Sequence, residues 1–63
     1  MHLLRRIERY LRASDMPPTR LGREAVRDPR FVFDLRSGRE PRTETEQRVR
    51  AFLDAHAAQA AAR

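Results

Sequence analysis

The chain has sixty-three residues, no cysteine, and fourteen basic residues that are all arginine against nine acidic ones, for a net charge of +5. That length makes one domain near the lower limit for folding without a staple, and the cysteine count excludes disulfides and thiolate sites, which suits a reducing cytoplasm. No apolar run approaches the roughly 20 residues needed to span a bilayer.

Residues 2–13, HLLRRIERYLRA, place Leu3, Leu4, Ile7 and Leu11 at spacings of three and four, with Tyr10 at the edge of the stripe. This predicts an amphipathic first helix with Arg5, Arg6, Glu8, Arg9 and Arg12 off the apolar side. The same arginines break any apolar core of a signal peptide. SDMPP then stops the helix, because a residue before proline leaves the α region, and Met16 is expected to fold back onto the core.

A second helix is predicted over 18–27, with Pro18 in its first turn and Leu21, Ala25 and Val26 as a narrow buried face. Gly22 inside it costs about 1 kcal/mol against alanine, so close approach of another helix is expected there. In RDPRFVFDLRSGREP, Asp28 is placed to cap a third helix over 29–37, Pro29 fits its first position, and Gly38 supplies a left-handed stop. Phe31, Val32 and Leu35 form its buried side. Pro29, Arg30, Phe33, Asp34 and Ser37 are left facing outward.

The fourth helix is predicted over 44–60. Thr43-Glu44-Thr45-Glu46 reads as a capping box, with Glu46 reaching back to the Thr43 amide. Val49, Phe52, Leu53 and His56 follow at helical spacing. The alanine-rich tail buries little and is expected to fray over 58–63 or to serve a partner. No segment alternates like a strand, so the fold class is all-α with four helices.

The excess of arginine over acid, with a pI of about 11.4, points to a polyanion. Arginine is the bidentate reader of phosphate and of guanine edges, which favours nucleic acid. A GC-rich genome explains the absence of lysine equally well, but not the excess of positive charge.

A short helix, a tight turn and a second short helix ending in glycine is the layout of a helix-turn-helix. The run PTRLGREAVRDPRFVFDLRSGREP, residues 18–41, resembles the core of the Cro and phage-repressor (XRE-like) DNA-binding family. Gly22, Ala25, Val32, Leu35 and Gly38 match that family's small and apolar positions, Gly38-Arg39-Glu40-Pro41 matches its following loop, and Thr43 its next helix start. The resemblance covers roughly residues 18–53. The family's turn holds glycine and then an apolar residue, whereas here Val26 and Arg27 stand there; either the turn is built differently or Val26 takes the apolar role. Family domains are also longer, so a fifth helix is expected to be missing.

The resemblance implies a shortened lambda-repressor-like domain of bacterial or phage origin, acting in the cytoplasm at the nucleoid as a sequence-specific transcriptional regulator. The third helix would enter the major groove of double-stranded DNA. Arg30 would read guanine, Asp34 would orient Arg30 or accept from cytosine, and Phe33 would lie on thymine methyl groups, with Pro29 and Ser37 beside them. Thr19, Arg20, Arg36, Arg39 and Arg42 would hold phosphates. The bland alternative for Arg30 and Asp34 is a solvated i,i+4 pair, and for Phe33 core packing against the first or fourth helix.

A single module contacts on the order of 600–1,000 Å² of surface, so a homodimer through Leu53 and His56 is expected to add affinity. The rival reading is a small adaptor that binds a transcription-machinery protein through Phe33 and Asp34, with the fold as scaffold. No catalytic set, phosphate loop or metal-ligand spacing is present; His2 and His56 are too few and too far apart. No enzyme activity, cofactor, small-molecule substrate or membrane partner is therefore expected.

Overall fold

A computed structural model describes residues 2–61, with side chains described as far as residue 56. Four α-helices follow in order: α1 Leu3–Ser14, α2 Pro18–Val26, α3 Phe31–Arg36 and α4 Thr43–Ala61. No strand occurs among the described residues.

The helices close on one apolar core. Leu3, Ile7, Tyr10 and Leu11 come from α1, Leu21 and Ala25 from α2, Phe31 and Val32 from α3, and Val49 and Leu53 from α4. Met16, Val26, Leu35 and Phe52 pack against it from partly buried positions. The expected stripes therefore meet, with three shifts. Tyr10 is fully in the core, where its ring meets Phe52 edge-on at 6.2 Å. Leu4 and Leu35 are only half-buried.

The packing order decides which faces stay outside. α1 packs on α3 and α4, and α2 packs on α3 and α4. The body they form measures 33 × 22 × 20 Å. Two polar clamps hold α1 in place. Its Arg6 pairs with Asp54 of α4, and its Glu8 pairs with Arg36 of α3.

Local chemistry accounts for the helix ends. α1 stops at Asp15, which takes φ +58, and Pro17 and Pro18 follow at the start of α2. Aspartate bears a left-handed conformation more easily than most residues, because its side chain is short and polar. Gly38, at φ +95, ends α3. The Arg39 amide donates to the Asp34 carbonyl at 3.0 Å and the Gly38 amide to the Leu35 carbonyl at 3.0 Å, which satisfies the last carbonyls of the helix.

Two start signals work differently from expectation. Asp28 accepts the Arg30 amide on its carboxylate at 3.0 Å, but in the turn ahead of the helix; the N-cap of α3 is Arg30, without a side-chain cap. The chain then makes a tighter turn, with the Phe31 amide on the Asp28 carbonyl at 3.1 Å, so regular α-helix begins at Phe31 rather than at residue 29. At α4, Thr43 is already helical, and the Glu46 carboxylate accepts from Arg50 at 3.0 Å instead of reaching back to Thr43. The expected fraying over 58–63 concerns side chains and a terminus outside the described residues.

Candidate nucleic-acid interface

The α2–α3 corner depends on Gly22. A Cβ placed on Gly22 would lie 2.1 Å from the Asp28 carbonyl oxygen and 3.2 Å from Phe31 Cβ. The glycine admits the close approach expected there, of the Asp28 backbone first and of Phe31, the first residue of α3, behind it. It lets the turn fold back onto α2, where the Asp28 amide donates to the Gly22 carbonyl at 3.0 Å. Arg27 stands at φ +58 in that turn, the conformation glycine adopts without strain. The turn is thus built with an arginine in the left-handed position, and Val26 packs against the core as its apolar member.

This corner sets the outward side of α3. Pro29, Arg30, Phe33 and Ser37 are exposed and Asp34 is half-buried. Phe33, 44% exposed, is the one large apolar side chain left in solvent among the described residues. It does not pack against α1 or α4 as core. The Arg36 guanidinium lies over its ring at 5.5 Å from the centroid. The Ser37 hydroxyl donates to the Phe33 carbonyl at 3.1 Å. Asp34 does not orient Arg30, because its carboxylate accepts from Arg39 at 3.3 Å.

The residues expected to hold phosphate divide into two groups. Arg36 is gripped by both oxygens of Glu8, at 2.8 and 2.7 Å, Arg20 by Glu24 at 2.6 Å, and Arg39 by Asp34. Thr19 and Arg42 are exposed. The Arg36 hydrogen bonds are the main reason the Glu8 carboxyl is held below its ordinary range, with the charges of Arg36 and Arg12 adding to the effect and slight burial opposing it. Exposed pairs of this kind are worth about 0–1 kcal/mol, so a phosphate can displace the carboxylate at modest cost.

The distribution of unpaired arginine says more. Of the fourteen arginines five are in ion pairs and Arg63 lies outside the described residues; the other eight make no ion pair among the described residues. Three of the eight, Arg23, Arg27 and Arg30, follow one another down the outer side of α2, through the turn and to the start of α3, and all are exposed. Arg23 and Arg27 were not singled out in the sequence. Their spacing of four, opposite buried Leu21 and Ala25, was the available signal.

No family model, curated protein or solved structure matches this chain. The corner carries three exposed guanidinium groups without ion pairs among the described residues, bordered by one exposed aromatic ring.

The residues expected at a dimer interface are placed otherwise. Leu53, 1% exposed, belongs to the domain's own core and offers nothing to a second copy. His56 is half-buried, stacks on Phe52 at 4.0 Å, and its Nδ1 lies 2.9 Å from the Phe52 carbonyl oxygen, which can only accept. Leu53 is used within the domain, where α1 and α2 both pack on α4. Among the described residues no helix is long and apolar enough to cross a membrane.

Proposed function

We propose that this domain binds double-stranded DNA in a sequence-specific manner, as a small helix-turn-helix transcriptional regulator of the Cro and phage-repressor type. The observation that supports it is the unpaired run Arg23, Arg27 and Arg30 along the α2–α3 corner. In this reading α2 lies along the phosphate backbone, with Thr19, Arg20, Arg23 and Arg27 against it, and the exposed side of α3 enters the major groove. Arg30, at the start of α3, reaches a guanine edge, and Phe33 covers thymine methyl groups. Arg42, and Arg36 and Arg39 after exchanging their carboxylates for phosphate, complete the contact with the backbone.

Selection from random duplexes at two salt concentrations tests this, with Arg30→Ala beside the wild type. An enriched motif that Arg30→Ala blurs at one base pair is the expected result, with a loss of about 1–3 kcal/mol at that position. Weak binding without a motif, unaltered by Arg30→Ala, would refute groove reading by α3.

A second reading is favoured by one arrangement, the aromatic ring of Phe33 beside Asp34 and a carboxylate-neutralised Arg36. An exposed aromatic with adjoining arginine is the composition of a protein-binding hot spot. In that case the domain is an adaptor for a transcription-machinery protein, and Phe33→Ala abolishes partner binding while leaving duplex affinity intact.

A further inference from the structure

Among the arginines assigned to phosphate, Arg36 is held differently from the rest. Arg20 and Arg39 find carboxylates four and five residues away, each through one hydrogen bond. Arg36 instead takes both oxygens of Glu8, which belongs to another helix and lies twenty-eight residues away. A guanidinium grips phosphate with the same fork, so carboxylate and phosphate compete for the same two N–H groups. The guanidinium stands 5.5 Å from the Phe33 centroid, at the border of the exposed side of α3. The side chains of Arg36 and Glu8 are 40% and 34% exposed, so the pair is open to an incoming phosphate.

α1 also supplies a destination for the displaced carboxylate. Arg12 lies four residues beyond Glu8 on the same helix, is exposed, and makes no ion pair among the described residues. An acidic residue four positions ahead of a basic one is the favourable order for a pair on a helix surface. The two side chains line one surface cavity, and the Arg12 charge already favours the ionised Glu8 carboxyl. We propose that Glu8 is an internal competitor of the duplex: it occupies the Arg36 fork in the free domain and passes to Arg12 when a phosphate takes that fork. Binding of phosphate at Arg36 and release of Glu8 are then one event, and Glu8 lowers duplex affinity without touching the duplex. This rests on duplex binding at the α2–α3 corner with Arg36 in the contact, but not on base reading there.

The test is a double-mutant cycle on affinity for a mixed-sequence duplex, read by fluorescence anisotropy at one low salt concentration. Glu8→Gln, which cannot hold the fork as an anion, should tighten binding about two- to fivefold, the range an exposed ion pair allows. The same change beside Arg36→Gln should do far less, because the fork is gone. Arg12→Gln should weaken binding about twofold, as for a lost helical pair, and should have no effect beside Glu8→Gln. Affinity that Glu8→Gln leaves unaltered overturns the proposal. Equal tightening with and without Arg36 also overturns it, as a general charge effect. Equal weakening by Arg12→Gln with and without Glu8 overturns it too, since Arg12 would then meet phosphate itself. Helical circular dichroism checks that each variant folds, and one measurement needs no variant. The carboxyl carbon NMR signal of Glu8 in the unsubstituted protein should move when duplex is added, and a signal that stays in place overturns the proposal. A wild type that binds no duplex refutes the proposed function itself, whereas each of the other failures leaves duplex binding standing.

Discussion

Replacing Gly22 with alanine puts two effects in opposition, and the structure says which one dominates. In an exposed helix interior alanine is favoured over glycine by about 1 kcal/mol. Here the added Cβ falls 2.1 Å from the Asp28 carbonyl oxygen, about an ångström inside ordinary contact, and 3.2 Å from Phe31 Cβ. The nearest atom is backbone, so no rotamer change relieves the overlap. The turn must lift off α2, which breaks the 3.0 Å bond from the Asp28 amide to the Gly22 carbonyl and drags Phe31, a core residue, with it. Overpacking of this sort costs about 1–3 kcal/mol and the lost hydrogen bond about 1 kcal/mol. After the propensity gain the net loss is about 1–3 kcal/mol. A domain of this size holds only about 3–9 kcal/mol in total, and each kcal/mol moves its melting temperature by roughly 4–8 °C. Thermal and urea melts followed by circular dichroism should therefore show Gly22→Ala clearly destabilised. Gly38→Ala is the companion, with no heavy atom within 4 Å of its added Cβ but φ at +95, so it carries strain without collision. A Gly22→Ala protein as stable as the wild type, or more so, would refute the close approach of turn and helix.

Two other consequences follow from the same geometry. Arg27→Gly removes a left-handed arginine that costs about 1–2 kcal/mol and adds chain entropy worth about 0.5–1 kcal/mol to the unfolded state; the variant should melt at the same temperature or a few degrees higher while its salt slope for duplex binding falls by about 0.9. A lower melting temperature would mean that the Arg27 side chain makes a contact that outweighs the strain. Glu8 has its carboxyl depressed by Arg36, so its contribution is complete above the ordinary carboxylate pKa and disappears as pH falls through the lower, folded-state value. Glu8→Gln should flatten the acid side of a stability–pH curve by a few tenths of a kcal/mol, since the pair is exposed; an acid limb identical to wild type would show that Glu8 and Arg36 do not hold α1 to α3.

Helix positions and most of the core were legible in the sequence because they depend on neighbours three and four residues apart. The stripe of Leu3, Ile7 and Leu11, the proline break before α2 and the glycine stop at residue 38 are all local chemistry. The start of α3 was misplaced by two residues because Asp28 and Pro29 are compatible with either a helical turn or the tighter turn that forms, and the fold chooses between them. The arginine run was harder to read. Arg20 and Arg39 have their carboxylates four and five residues away, within reach of sequence reading, but the one that neutralises Arg36 is not local. The partner of Arg36 lies twenty-eight residues away.

By itself the sequence determined an all-α chain of four helices with an excess of arginine, since amphipathic period, capping and charge are properties of short segments. Only the tertiary structure decided that Arg36 is already neutralised by Glu8 and Arg6 by Asp54, that Leu53 belongs to the domain's own core, and that Gly22 meets the backbone of the turn more closely than it meets α3. The physical reason is that such contacts exist only once the helices have packed, the two ion pairs joining residues forty-eight and twenty-eight apart in the chain.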